Sequence, residues 1–450
     1  MFVHAFPPLY VHVSACRWLD EATGGAGAVA VYLSRACGHS GVASSKALSI
    51  LGITKDNVKE VNAGIDGGLF DIDDDGEPTG VIRENAMGLL KEVIVEALGA
   101  DDIEKRRAWR DAAIANLHAF GITAVHDMGD GVSNEESTEL IWNDAVGLHA
   151  EEPTRDGVFV RVAAAVPLTL ADRLAKHIAE HGKGNEKFKI GSVKAFADGS
   201  LGSRTALFHA PYRANGVVLD PPQHGLRVMP LEKLTKAALA ASELGLQIII
   251  HAIGDAAIDE VLEIYASVKG GTESVGTLGH RIEHVQHVTL PPADSAARFA
   301  SVNATAGMQP LQLLYDREVA EEVLGEEMAN VSSYIFALLR DAGVRLAFGS
   351  DWPVVDADPM QAIFAAVHRR APTKSDAWIP SQALDVVTAW RAHTIHAAES
   401  MLWDEDIGSL ATGKLADFVV VPADAMDVLR DGALSRVLST FVGGVCVYGC

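Results

Sequence analysis

The segment Leu246-Gln247-Ile248-Ile249-Ile250-His251-Ala252-Ile253-Gly254-Asp255 constrains this chain more than any other, because an apolar run stops abruptly at a histidine, a glycine and a carboxylate. Such a run, rich in β-branched residues, predicts a strand buried on both faces, as in a parallel sheet. The stretches Leu231 to Leu244 and Ala256 to Val268 on either side read as helices. Polar groups then sit only at the C-terminal tip of the strand, where parallel α/β folds build their active sites. A lone histidine there can equally be a satisfied core residue, and recurrence of the pattern decides between the two.

The pattern recurs. Thr277 to Ile282 runs into Glu283 and His284, Val344 to Phe348 into Gly349-Ser350-Asp351, and Ser192 to Phe196 carries Lys194 and runs into Asp198. His251 and His284 are 33 residues apart, and His284 and Asp351 are 67 apart, about twice that. A βα unit of a closed barrel takes roughly 30 residues, so these side chains fall at the ends of successive or alternate strands. Nitrogen and oxygen donors gathered from several strand ends suit a metal ion.

Around this centre, helix and strand alternate from about residue 86. Ile103 to Phe120 reads as a helix stopped by Gly121, Ile122 to Val125 as a strand ending in His126-Asp127, and Phe159 to Val166 as a strand before a helix from Leu170 to His181. With the Lys194, His251, His284 and Asp351 strands and Phe299 to Asn303 before Met308-Gln309-Pro310, seven strands are expected. A closed parallel barrel needs eight. Residues 199 to 223, rich in Gly, Pro and Arg, read as a lid at the catalytic rim. Ala383 to Glu399 reads as one Ala-rich helix, and residues 401 to 450 turn to strand chemistry, a small β domain. Residues 1 to 85 hold a strand at Val29 to Ser34, a helix at Ser44 to Leu51, and an acidic run, Asp71 to Pro78, that reads as a solvated turn rather than a calcium loop.

With 37 basic and 60 acidic residues the net charge is −23. That balance argues against nucleic acid or an anionic membrane as partner. Cys16, Cys37, Cys446 and Cys450 show no CxxC spacing, which suits free thiols in a reducing cytoplasm. No run of 18 apolar residues occurs and the first residues lack a secretion signal's pattern, so a soluble cytoplasmic protein is expected.

Eight segments, in order, resemble the amidohydrolase superfamily, and within it the family 3 branch that includes N-substituted formamide deformylase. They are CGHSGVASSKAL (37–48), GITAVHDMG (121–129), VKAFADGSLGSRTALFHAPY (193–212), IHAIGDAAID (250–259), HRIEHVQ (280–286), MQP (308–310), GSDWPV (349–354) and GSLATGKLADFVVV (408–421). The resemblance implies a TIM-like (β/α)8 metallo-hydrolase barrel over 86–400, with strands of a small β-sandwich over 401–450. It implies hydrolysis of the C–N bond of an amide-like, non-peptide small molecule by metal-activated water.

By the same resemblance, Lys194, His251, His284 and Asp351 are the metal ligands, for one or two ions, zinc above others. Lys194 would be carboxylated and bridging, and Asp351 would also shuttle the proton. His126, Asp127, His280 and Glu283 are expected to orient those ligands, and Arg204, His39 and Asp198 to meet substrate. Bland alternatives stand beside these: Lys194 as a buried lysine paired with Asp198, Asp351 as a helix cap, His284 as a core histidine, and Gly413 to Asp417 as a structural turn. A Schiff base at Lys194 would leave the histidines and Asp351 without a role.

One departure matters. The superfamily's first barrel strand ends in His-x-His, and no His-x-His occurs in these 450 residues. By resemblance residue 37 already lies in the insert between strands one and two, so strand one and its motif are missing together. Two expectations follow: a truncated pseudoenzyme acting as a binding or assembly module, or a true start about 80 to 100 residues upstream, the length of a βα unit plus several strands. A gap between strands two and eight would also favour self-association into a homo-oligomer unless Val11-His12-Val13 fills it.

Overall fold

The computed structural model describes residues 15–25, 27–90, 93, 102–129, 139, 142–148, 159–214 and 216–450. Val11-His12-Val13 lies outside the described residues. The first elements form a four-stranded antiparallel sheet, β1 (Tyr32–Ser34), β2 (Ser40–Ala43), β3 (Gly68–Ile72) and β4 (Pro78–Glu84), in the order β1-β2-β4-β3. Its apolar face buries Ala43, Phe70 and Ile82 against Leu48 and Val58. Leu48 belongs to the helix Ser45–Ile50, whose first turn is capped by Ser44, the hydroxyl accepting from Ala47 N. The acidic run is the turn between β3 and β4, with Asp73 accepting from Asp75 N and Glu77 N.

The main sheet has seven parallel strands: β5 (Ala124–Asp127), β6 (Arg161–Pro167), β7 (Phe188–Phe196), then, past a short lid hairpin of β8 (Arg213–Ala214) and β9 (Val217–Val218), β10 (Gln247–Ala252), β11 (Arg281–His284), β12 (Thr305–Met308) and β13 (Leu346–Phe348). Their spatial order, β13-β12-β11-β10-β7-β6-β5, follows the chain. That is the winding of a barrel, and it differs from the doubly wound order that reverses partway. The sheet curls as a half-barrel, and among the described residues β5 and β13 are its edges. Ile248, Ile249 and Ile250 of β10 are fully buried. Outside them pack the helices Leu231–Glu243 and Asp255–Ala266, which bury Leu234, Ala238, Val261 and Leu262.

Three expected boundaries change. Thr277 ends a helix begun at Gly271, so the strand starts only at Arg281. Phe299 to Val302 belong to the helix Pro292–Val302, which Pro at its first turn initiates, and the strand follows at Thr305. The Ala-rich helix is two, Val386–His393 and Ile395–Ser400, broken where Thr394 takes φ −121° and ψ −96°.

The chain ends in a three-stranded antiparallel sheet, β14 (Phe418–Val420), β15 (Ser439–Val442) and β16 (Val445–Tyr448). Gly413 to Asp417 leads into it, and Asp417 forms a two-pronged buried ion pair with Arg161 of β6, at 2.6 and 2.8 Å. The cysteine expectation needs correcting. The backbone past Tyr448 turns at Gly449, φ +70°, bringing Cys450 within 5.9 Å (Cα–Cα) of Cys446, and the two form a disulfide; Cys16 and Cys37 remain thiols. No helix of the described residues is long and apolar enough to cross a membrane.

Candidate active site at the C-terminal ends of the strands

Parallel pairing fixes which side chains share a level. Lys194 is in register with Ile249, and Ile249 with Arg281; one level higher, Phe196 is in register with His251, His251 with Glu283, and Glu283 with Gly307. Residues in register point to the same face, so Lys194, His251, Arg281 and Glu283 form one buried polar stack. Lys194 Nζ lies over the Phe196 ring, 4.3 Å from its centroid. Gly307 makes room for the Glu283 carboxylate, since a Cβ there would stand 2.5 Å from Oε2.

Strict alternation would send His284, one residue after Glu283, to the opposite face. Its φ of +79° turns it back, and its ring centroid stands 4.3 Å from that of His251. Asp351 is also held at positive φ, +58°; it is exposed, and its Oδ2 accepts from Gln312 Nε2 at 3.2 Å. Positive φ in non-glycine residues costs on the order of 1–3 kcal/mol each and gathers at functional sites. Glu84, Arg204 and Val285 share it.

The histidine tautomers follow from their partners. His251 Nε2 donates to the Gly199 carbonyl at 3.0 Å, and a carbonyl only accepts, so Nδ1 carries a bare lone pair. That Nδ1, His284 Nδ1 and His126 Nε2 are buried without a hydrogen-bond partner among the described residues. Burial pushes the pKa values of His251, His284 and His126 down; the charges of His39 and Lys194 add to this around His251 and His284, and those of Arg281 and Lys194 around His126, while Asp351 and Glu283 pull His284 the other way. All three are neutral imidazoles at pH 7, the form that ligates metals. Burial also lowers Lys194 to about 8, against the pull of Glu283 and Asp351.

The N-terminal sheet contributes a wall. His39, at the tip of the β1–β2 hairpin, lies with its ring centroid 4.9 Å from that of His251 and tilted 45° to it, and its Nδ1 stands 2.8 Å from Glu84 Oε2 at the end of β4. Thr205 of the lid donates to the other carboxylate oxygen. Burial alone would lower His39, but the Glu84 charge and hydrogen bond carry it up to about 9.

The structure brings together Lys194, His251, His284, Glu283, His126 and His39. His126 Nδ1 accepts from Arg281 Nη2 at 3.0 Å. Arg281 Nε also lies 2.7 Å from Glu283 Oε1 as an ion pair, though without the alignment of a hydrogen bond. Asp351 acts electrostatically on His284, Lys194 and His39 from the rim. Asp198 anchors the lid: Oδ1 accepts from Ile253 N, and Oδ2 from Leu207 N and Gly254 N. Arg204 lies in the lid at φ +55°, and Asp127 accepts from Gly129 N past the end of β5. His280 stands apart; it precedes β11, bonding Ser242 Oγ and Ile248 N at the opposite end of the strand. Sequence reasoning gave no role to Glu84, Arg281, Gln309 and Gln312: Arg281 and Gln309 lie within HRIEHVQ and MQP without standing out there, and Glu84 and Gln312 lie in no segment that marks them. Among the described residues no three His, Cys, Asp or Glu side chains stand close enough to hold a metal ion as placed.

The sequence model of the amidohydrolase family matches residues 13–448. "Protein LONG AFTER FAR-RED 3" of Arabidopsis thaliana is 36% identical over 438 residues, 96% of this chain and 71% of that protein. The N-substituted formamide deformylase of Arthrobacter pascens is 27% identical over 438 residues, 93% of this chain and 73% of its own length. A crystal structure of an uncharacterized metal-dependent hydrolase from Pyrococcus horikoshii superposes with a TM-score of 0.66 at 26% identity, covering 96% of this chain and 79% of the other.

Proposed function

Because the chain belongs to the amidohydrolase family and resembles a metal-dependent hydrolase of known structure, we propose that it hydrolyses the C–N bond of a small, amide-like, non-peptide molecule. What supports this most is the pair of neutral, buried imidazoles His251 and His284, each with an unpartnered Nδ1, at the ends of adjacent strands. Bare imidazole nitrogens beside carboxylates fit a divalent cation, zinc before others.

In this reading His251 and His284 would hold the cation with Lys194 and Asp351, and addition of CO2 to the neutral Lys194 amine, with loss of one proton, would turn it into an anionic carbamate ligand. The cation, when bound, polarises the amide carbonyl and makes water a nucleophile near neutral pH. Asp351 Oδ1 takes the proton of the attacking water and returns it to the leaving nitrogen, while Gln312 holds Oδ2. Glu84 fixes the His39 ring against His251, and Asp198 holds the lid, 199–223, shut on the strand ends. Residues 86–400 would then form the catalytic unit, 1–85 the insert between the first two barrel strands, and 401–450 part of a small β domain. β5 and β13 would be the edges where an eighth strand pairs.

The test is elemental analysis of the purified chain after exposure to zinc or manganese, together with a screen of formamides, N-acyl amino acids and cyclic amides. Metal uptake with turnover of any of these is expected. A chain that takes up no metal and turns over none overturns the hydrolase reading in favour of a binding module.

A further inference from the structure

Just past the ends of β10 and β11, three buried side chains meet over one carboxylate and keep acceptors unused. Val285 N donates to Ala252 O and His287 N to Ile253 O, so the segment that follows His284 runs beside the one that follows His251. On its other side Tyr334 N donates to Gln286 O and Val288 N to Ser332 O. These bonds hold Gln286, His287 and Tyr334, which are 3%, 0% and 0% exposed, around Asp316. Asp316 Oδ2 accepts from Tyr334 Oη at 2.7 Å and from Gln286 Nε2, and His287 Nε2 stands 3.8 Å from it.

Gln286 spends both amide protons here, on Asp316 and on Tyr334 Oη at 2.7 Å, which fixes its Oε1 as the remaining acceptor. That Oε1 and His287 Nε2 are buried without a hydrogen-bond partner among the described residues, while His287 Nδ1 is engaged with Ser333 Oγ at 2.8 Å. No donor reaches Asp316 Oδ1 among the described residues, since both bonds fall on Oδ2. Burial raises Asp316 to about 6 against those two bonds and the charge of Arg35, so it is ionised at pH 7. Arg35 forms no ion pair with it among the described residues, and burial holds His287 neutral, at about 3. A carboxylate lifted from water and met only by neutral groups lacks a counter-charge, and buried acceptors beside it lack donors. A primary ammonium supplies both, with three protons for Asp316 Oδ1, Gln286 Oε1 and His287 Nε2. A bare metal ion fits less well, because among the described residues no three His, Cys, Asp or Glu side chains stand close enough to hold one.

The cluster lies within reach of the candidate chemistry. Gln312 and Asp316 are four residues apart at the start of the helix Leu313–Leu324, and Gln312 already has helical torsions, φ −64° and ψ −27°. They therefore share a helix face, one turn or about 5.4 Å apart. Gln312 Nε2 donates to Asp351 Oδ2, the carboxylate that would return a proton to the leaving nitrogen. Phe208 of the lid sets its ring 5.7 Å from that of His287.

We propose that Asp316, Gln286 and His287 receive a primary ammonium on the amine side of the substrate, so that the amides taken are monoacylated diamines with a short spacer. This rests on the hydrolase reading for the amide and on these three side chains alone for the ammonium. Calorimetric titration of the whole chain tests it without requiring turnover. The probes are monoacetylated diaminoethane, diaminopropane and diaminobutane, the neutral N-alkylacetamides of equal length, and the trimethylammonium analogues, which keep the charge but lose the protons.

At least one monoacetyl diamine should bind about tenfold or more tightly than its neutral counterpart, and its trimethylammonium analogue should lose most of that advantage. Asp316→Asn, which keeps the shape and removes the charge, should abolish the preference. Ammonium and neutral probes binding alike, no probe binding at all, a trimethylammonium probe binding as well as the primary amine, or a preference that survives in Asp316→Asn would each overturn the inference. The comparison of probes on the native chain decides the matter even where Asp316→Asn fails to fold. Turnover of neutral amides without ammonium preference would sink this inference and spare the hydrolase. Asp316-dependent ammonium binding in a chain that takes up no metal and turns over no amide would do the reverse.

Discussion

At the scale of single residues, the site works through a few side chains held against their ordinary preferences. His284 and Asp351 sit at positive φ, and His251 and His284 keep a nitrogen unpartnered in the interior. If they bind metal, His251→Ala, His284→Ala and Asp351→Asn should each lower metal occupancy, as should Lys194→Ala, with short carboxylic acids partly restoring the last. Full occupancy in all four, by elemental analysis, would remove the assignment.

His39 gives a pH test. Its folded-state value, about 9, lies above the ordinary 6.5, so its contribution to stability is fully present below about pH 6.5 and is lost as pH rises through 9. The shift corresponds to roughly 3 kcal/mol. Denaturant titrations should show stability declining over that window in the native chain and much less in Glu84→Gln. An NMR titration of Glu84→Gln should find the His39 imidazole well below 9.

At the scale of elements, neighbouring segments meet at single points that substitution can break. Gly199 carries the carbonyl that fixes the His251 tautomer, and a Cβ there would stand 2.0 Å from Glu84 Oε1 and 2.1 Å from Thr205 Oγ1. Gly199→Ala should therefore cost about 1–3 kcal/mol and loosen His39 from Glu84, which the same NMR titration would read.

The last sheet is tied to the barrel by Arg161 and Asp417, whose side chains are 1% and 4% exposed. Asp417 also accepts from Gly443 N at 2.7 Å, between β15 and β16. Arg161→Met leaves that carboxylate buried and should cost about 3–5 kcal/mol, whereas the double variant Arg161→Met, Asp417→Leu should recover most of it. Urea unfolding of the three proteins checks this, and an equal loss in the single and double variants would count against a paired-charge account.

At the scale of the whole molecule, a net charge of −23 works against compactness. Raising ionic strength from about 0.02 to 0.3 M shortens the screening length severalfold, so the melting temperature should rise over that range. A flat or falling response would mean that attractive pairs such as Lys233–Asp66 and Arg227–Glu260 outweigh the surplus of like charge.

The sequence by itself determined the alternation of strand and helix, and with it the winding of the sheet. A β-branched run such as Ile248 to Ile250, short and set between two helical stretches, predicts a doubly buried strand whose polar tip lies at its C-terminal end. The placement of His251, His284 and Asp351 at the C-terminal ends of strands was legible for the same reason, since a polar residue closing an apolar run stands out along the chain, and Lys194 stood out as a charge inside one. Boundaries were not legible where local preference is weak, as at Thr277 and Phe299, which helices claim through packing rather than pattern.

Only the tertiary structure decided how the side chains meet. Alternation alone points His284 away from His251, and a single backbone torsion reverses it. The contacts of Glu84 and Arg281 are not written in local pattern, even though Arg281 lies in HRIEHVQ, because they cross long sequence separations: Glu84 with Thr205, Arg281 with His126. Periodicity and spacing register what a residue's near neighbours require. They carry no trace of a partner a hundred or more residues away, which the closing of the sheet alone brings within reach.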